Sequence, residues 1–256
     1  MKDNPTLWVF GDSFSTPQEQ MTLMTRSSGA EPFVPLNKTW TRIVSEGLTK
    51  HPKHQNYAVQ GCSNEYIWAT LLHSYSKIEK GDWVVVQATS PLRNWFWEDR
   101  PQLANHYNTR FIPGVDASKA EIKAIDHYQR HLDTSFLNIS NFRMSVCAIQ
   151  YVASQLAGKA KVLILPGFES IQGVIGNLTG ASASEFESEE VAHAYYKKTS
   201  DQRYNHFSEE NHKILADKVI SYFLRGEQVD LTDGFITSIF DKSTVANIKD
   251  QILFEK

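Results

Sequence analysis

The sequence predicts an α/β protein, with a parallel sheet covered by helices on both faces. Three observations predict it. Short apolar runs of strand length recur at Leu7–Phe10, Asp82–Gln87 and Lys161–Leu165. Segments with the 3.6-residue spacing of amphipathic helices separate them. The runs are continuous rather than alternating, which marks strands buried on both faces, as in sheets whose crossover helices pack on each side.

Leu7–Phe10 is the first strand, ended by the turn residues Gly11-Asp12-Ser13. Asn56–Val59 reads as a second short strand, closed by Gly61. Asn64 opens a helix whose Ile67, Leu71, Tyr75 and Ile78 share one face, and Gly81 is its stop signal. Asp82–Gln87 is the third strand. Residues from about 134 to 156 form a helix with Phe142, Val146, Ile149, Ala153 and Leu156 turned inward. Lys161–Leu165 is the fourth strand, ended by Pro166-Gly167. Ser208 is placed to cap a last clear helix, with Glu209 and Glu210 in the first turn where the helix dipole favours acids. Leu215, Val219 and Phe223 are its apolar face, and His212 is expected to face solvent. Two irregular stretches, at about 91–133 and 169–200, read as insertions; the first carries Trp95, Phe96 and Trp97 and is placed to cover a site. The chain thus divides into one domain, 1–225, with two insertions, and a C-terminal extension, 226–256, in which 241–253 reads as helical.

Length and composition agree with this. A chain of 256 residues suits one domain, and 41% hydrophobic residues suffice for its core. A net charge of −3 gives no electrostatic footprint for nucleic acid, and no Lys/Arg run favours an anionic membrane. No apolar stretch approaches the roughly 20 residues that span a bilayer. The first residues lack the pattern of a secretory signal, so a cytoplasmic location is expected. Cys62 and Cys147 form no CxxC pair; two thiols or one disulfide are both compatible with the sequence. Oligomeric state is not legible.

Ser13, Gly61 and Thr89 each follow a predicted strand, and in parallel α/β sheets the site lies beyond the carboxyl ends of the strands. Ser13 sits on a tight turn and is the candidate nucleophile. A serine hydroxyl needs a base. His206, on the loop before the Ser208-capped helix, is preferred over His193 in an insertion and His212 within a helix. Asp201 is the nearest upstream acid that could orient it. An oxyanion needs preorganised donors: the backbone N–H groups of Ser13 and Gly61 are two, and Thr89, Ser90, Arg93 and Asn94 offer a third. Asp12, Arg93 and Trp95 are expected to face the substrate. No metal-ligand spacing, Walker A, HExxH, GxGxxG or GxSxG pattern occurs, so neither metal nor cofactor is expected.

Gly11-Asp12-Ser13-Phe14-Ser15 resembles the first block of the SGNH (GDSL-like) hydrolase superfamily. Asn56 to Asn64 resembles its second block, whose glycine donates to the oxyanion hole; here that is Gly61. His206-Phe207-Ser208 resembles the last block, with the catalytic histidine. The resemblance covers the framework of the first 90 residues and about 135–225. It implies a flavodoxin-like three-layer α/β/α sandwich and ester hydrolysis through an acyl-enzyme without a cofactor; the aromatic residues around Trp95–Trp97 suit an acyl chain or a sugar face equally, so a small acyl or acetyl ester, a carbohydrate ester among the options, is the expected substrate. The sequence departs from the family pattern twice. The third block, usually Gly-x-Asn-Asp, is replaced by Gln87 to Asn94, which leaves Thr89, Ser90, Arg93 and Asn94 open as the third donor. The last block, usually Asp-x-x-His, has Arg203 three residues before His206; Asp201 stands five before it. Asp201 completes the triad, or the site is a Ser–His dyad, or the fold serves as a non-catalytic binding module. The Thr89-Ser90-Pro91 block is also similar to SGNH-like proteins of phage and bacterial genomes, which would imply a virion-associated protein if the origin is a phage.

Overall fold

The computed structural model describes residues 5–16, 39–49, 53–59, 61–93, 123, 127, 135–182, 191, 194, 207–237 and 242–254. Four parallel strands form its sheet: β1 (Thr6–Phe10), β2 (Lys53–Asn56), β3 (Trp83–Ala88) and β4 (Lys161–Pro166), in the order β2-β1-β3-β4. The described helices of five or more residues are α1 (Trp40–Leu48), α2 (Asn64–Ser74), α3 (Ser135–Leu156), α4 (Leu178–Ser182), α5 (Glu209–Arg225) and α6 (Lys242–Phe254). Chain direction across the sheet reverses between β1 and β3, so their carboxyl ends flank the crevice where doubly wound sheets place ligands.

Successive strand residues point to opposite faces, and this alternation fills two separate cores. Leu7, Val9, Val85, Leu163 and Leu165 pack on one face with Trp40 and Val44 of α1 and Leu215, Val219 and Phe223 of α5. Trp8, Phe10, Val84 and Val86 pack on the other with Ile67 and Leu71 of α2 and Ile149, Val152 and Leu156 of α3. The result is the expected three-layer α/β/α sandwich.

Several boundaries differ from expectation. β2 is Lys-His-Gln-Asn, ending where a strand was expected to begin. Its residues are polar and partly exposed because it sits at the sheet's edge, so no apolar run announces it. Tyr57 and Val59 still donate to the Val9 and Gly11 carbonyls, which carries the chain on alongside β1. Helix α1 was not expected; parallel β1 and β2 require a crossover, and α1 lies in it. Its Gly47 lets α5 approach, since a Cβ there would lie 2.5 Å from Ile220 Cδ1. Helix α2 stops at Ser74, and Gly81 is reached through turns with φ of 96°.

The expected cap of α5 is present: Ser208 Oγ accepts from Asn211 N at 3.2 Å, and Gly226 ends the helix with φ of 73°. His212, however, is buried rather than solvent-facing. Its Nδ1 accepts from Trp40 N, and its ring packs edge-on against Phe207. The start of the C-terminal extension packs back onto the domain: Val229 and Leu231 are buried in the first core, and Asn211 clasps the backbone of Ile236 through both N–H and carbonyl. Cys62 and Cys147 are both free thiols.

Candidate active site

Gly11 leads β1 into a turn over Asp12–Ser15 at the crevice. The turn lies against Gln87 of β3. A Cβ at Gly11 would sit 2.7 Å from Gln87 Oε1 and 2.9 Å from its Cβ, so only glycine admits this approach. Gln87 in turn fastens the loop. Its Oε1 accepts from Ser15 Oγ at 2.7 Å and from Asp12 N at 3.2 Å, and its Nε2 donates to Asp12 Oδ1 at 2.6 Å.

Asp12 is wholly buried, although it was expected to face the substrate. Its carboxylate points inward. Oδ1 accepts from Phe14 N (3.0 Å) and Gln87 Nε2; Oδ2 accepts from Thr89 Oγ1 and Arg93 Nη1, both at 2.5 Å. A buried carboxylate with four donors has no lone pair to spare for a ligand. Burial alone raises its pKa, but the Arg93 guanidinium and the hydrogen bonds from Thr89, Gln87 and Phe14 outweigh that and hold it below the usual carboxylate range.

Thr89 is likewise buried and committed. Its hydroxyl donates to Asp12, and its N–H donates to Asn64 Oδ1 at 2.8 Å. It therefore has no donor left for an oxyanion, which corrects the expectation for this residue. Asn64 Nδ2 also donates to the Thr89 carbonyl at 3.1 Å, tying the start of α2 to the end of β3. Cys62 Sγ donates to the Gly11 carbonyl at 3.2 Å. Burial, with the Asp12 charge nearby, pushes this thiol well above its ordinary range, so it is a packing group and not a nucleophile.

Ser13 stands apart from its neighbours. Asp12 and Phe14 on either side are buried, whereas Ser13 is partly exposed. Neither its hydroxyl nor its backbone N–H hydrogen-bonds to a described residue. Gly61, with φ of 75°, occupies the left-handed region that favours glycine, and its N–H is also unengaged among the described residues.

Arg93 is nearly buried, with 13% of its side chain exposed. Nη1 bonds Asp12 and also donates to Thr89 Oγ1 at 2.6 Å, and the guanidinium lies over the Phe168 ring, 5.3 Å from its centroid. The Phe168 ring meets Phe14 edge-on, so Arg93 borders the serine turn from two sides. Beside this lies a groove of about 410 Å³ lined by Pro91, Phe142, Val146 and Ile171 with the polar Arg143 and Glu169.

His206, Asp201, Asn94 and Trp95 lie outside the described residues. Gln87 and Asn64, the two residues that weld the site together, stand in the sequence as a strand end and a helix start and as the bounds of two family-like blocks, with nothing to mark them as the residues that tie β1, α2 and β3 together. Among the described residues no cluster of three or more metal-ligating side chains occurs, and no helix is long and apolar enough to cross a membrane.

No family model matches the chain, and no curated protein does. Two solved structures resemble it at low identity. One is the Bacillus subtilis protein YXIM, 13% identical, with a TM-score of 0.33 over 98% of this chain; the chain spans only about half (56%) of that protein's length. The other, a crystal structure 14% identical, has a TM-score of 0.37 over 88% of this chain and 100% of its own.

Proposed function

We propose that this chain is a serine-dependent ester hydrolase of the SGNH type. Ser13 Oγ attacks the ester carbonyl while His206 takes its proton, with Asp201 orienting the imidazole. The tetrahedral intermediate collapses, the alcohol leaves with the proton from His206, and water then cleaves the acyl–Ser13 ester by the same route. The Ser13 and Gly61 N–H groups stabilise the oxyanion. The substrate is a small acyl or acetyl ester, carried on a simple alcohol or a sugar, and no cofactor takes part.

One observation carries this reading. In a turn otherwise buried and pinned to two neighbouring elements, the single partly exposed side chain is a serine at the crevice between β1 and β3. The rigidity of that turn is what a nucleophile needs, because reacting atoms must be held near attack distance.

Hydrolysis of p-nitrophenyl acetate and butyrate, compared between wild type and Ser13→Ala, tests it. Turnover that disappears in the variant supports the esterase. Equal rates in both, at the level of buffer, would instead favour a binding module on the same fold.

A further inference from the structure

Given the esterase reading, on which this inference rests, we infer that Arg93 supplies the third oxyanion donor, in place of the asparagine of the Gly-x-Asn-Asp block that the sequence lacks. Of the four residues after β3 that could fill that role, Asn94 lies outside the described residues, and the other three differ in the donors they have left. Thr89 has spent both of its donors on Asp12 and Asn64. Ser90 is buried and its hydroxyl oxygen accepts from Leu92 N, so it offers at most its single neutral O–H. Arg93 differs from both. Only Nη1 is used by Asp12 and Thr89, so the Nε and Nη2 hydrogens have no partner among the described residues.

Three contacts fix where those hydrogens can go. Asp12 and Thr89 grip one nitrogen, and Phe168 supports the guanidinium plane. The partners are themselves anchored: Asp12 is the residue before Ser13, and Phe168 packs against Phe14, the residue after it. The guanidinium is thus held against the turn that carries Ser13, through both of that residue's neighbours, without needing to be ordered by substrate. Such preorganisation is what makes an oxyanion donor effective.

The Asp12 partner also sets the electrostatics. A lone buried guanidinium would bind any anion and hold a carboxylate product. Paired with Asp12, the unit is neutral overall, yet its Nε and Nη2 hydrogens, unpartnered among the described residues, can still donate to charge developing on a neutral ester. As the Ser13 Oγ–carbon bond forms, the carbonyl π pair moves onto oxygen and is met by an Arg93 N–H. No proton leaves the arginine, which stays charged throughout. The site accordingly favours uncharged esters over those bearing a carboxylate at the reacting end.

Arg93→Lys separates this role from a structural one. The lysine ammonium can still face Asp12 and relieve the buried charge, but it lacks the second edge of donors. The expected result is a folded protein with near-wild-type near-UV circular dichroism. Its kcat on p-nitrophenyl acetate should be lower by about a hundred- to a thousand-fold, with KM little changed. Inhibition by a phenylboronic acid, which forms a tetrahedral adduct on serine, should weaken in parallel with kcat/KM. Full kcat in Arg93→Lys overturns the assignment and leaves the esterase standing. Absence of Ser13-dependent turnover in the wild type overturns the esterase and this inference with it. Should Arg93→Lys not fold, Asp12→Asn/Arg93→Gln removes both buried charges together; wild-type kcat there would equally overturn the role.

Discussion

Two carboxylates are buried at opposite ends of the sheet, and they are used differently. Asp82 lies at the amino end, just before β3. Its oxygens accept from Thr6 N (2.9 Å), Trp8 Nε1 (2.9 Å) and Glu79 N (3.0 Å), which staples the start of β1 to the start of β3. Asp12 lies at the carboxyl end and joins the same two strands through Gln87, Thr89 and Arg93. Both are 1% exposed or less. Burial of an acid therefore does not by itself mark a site. What separates them is position: the Asp12 end faces the crevice of a doubly wound sheet and carries Ser13 and an arginine whose Nε and Nη2 have no partner among the described residues. Asp82 holds backbone and an indole.

The largest expected effect that sharpens this contrast is Asp12→Ala. It strands Arg93 without its counter-ion in a nearly buried position, which costs about 3–5 kcal/mol in comparable pairs. Chemical denaturation should show that loss. Asp12→Asn, measured at a temperature where it remains folded, should also depress turnover, because Arg93 loses its anchor. Asp82→Asn should lower stability by a smaller amount, about 1–3 kcal/mol, since the amide keeps one acceptor. Its kcat and KM should match wild type wherever it is folded. A strong kcat defect in Asp82→Asn would erase the distinction between the two ends.

A backbone test comes next. Gly167 follows β4, and a Cβ there would lie 2.2 Å from the Ala88 carbonyl oxygen. Gly167→Ala must push the ends of β3 and β4 apart, with an expected cost of about 1–3 kcal/mol. Thermal unfolding reads the cost, and a change in kcat would show how far the displacement reaches into the Thr89–Arg93 segment.

The smallest effect is one of pH. Asp12 has a depressed pKa in the folded protein, so its contribution to stability is complete above its unfolded value, near 4, and is lost as pH falls through the lower folded value. Stability from this group should be flat from pH 7 to about 5 and fall only in stronger acid. The stability gap between wild type and Asp12→Asn should narrow over that same acid range.

The sandwich was legible because three of its four strands, β1, β3 and β4, carry apolar runs. Val84–Val86 and Lys161–Leu165 carry continuous apolar runs, and the Ser208 cap with Glu209 and Glu210 in the first turn marks the start of α5. The edges were not legible. β2 carries no apolar residue, and the apolar Tyr57-Ala58-Val59 drew the strand three residues too far along. His212 looked like a solvent-facing helical residue because its partners, Trp40 and Phe207, come from segments 172 and five residues away. The candidate site was legible only in its local residues. Ser13 and Gly61 announce themselves by motif, but the inward turn of Asp12 depends on Gln87, Thr89 and Arg93, which lie more than 70 residues distant. No local pattern encodes that pairing; it exists only once β1 and β3 are side by side.

The most direct test of the central claim is covalent labelling with an alkyl fluorophosphonate, followed by mass mapping of the modified peptide. The expected result is one adduct per chain, on Ser13, absent from Ser13→Ala and slowed in Arg93→Lys. No adduct, or an adduct on another residue that persists in Ser13→Ala, would contradict it.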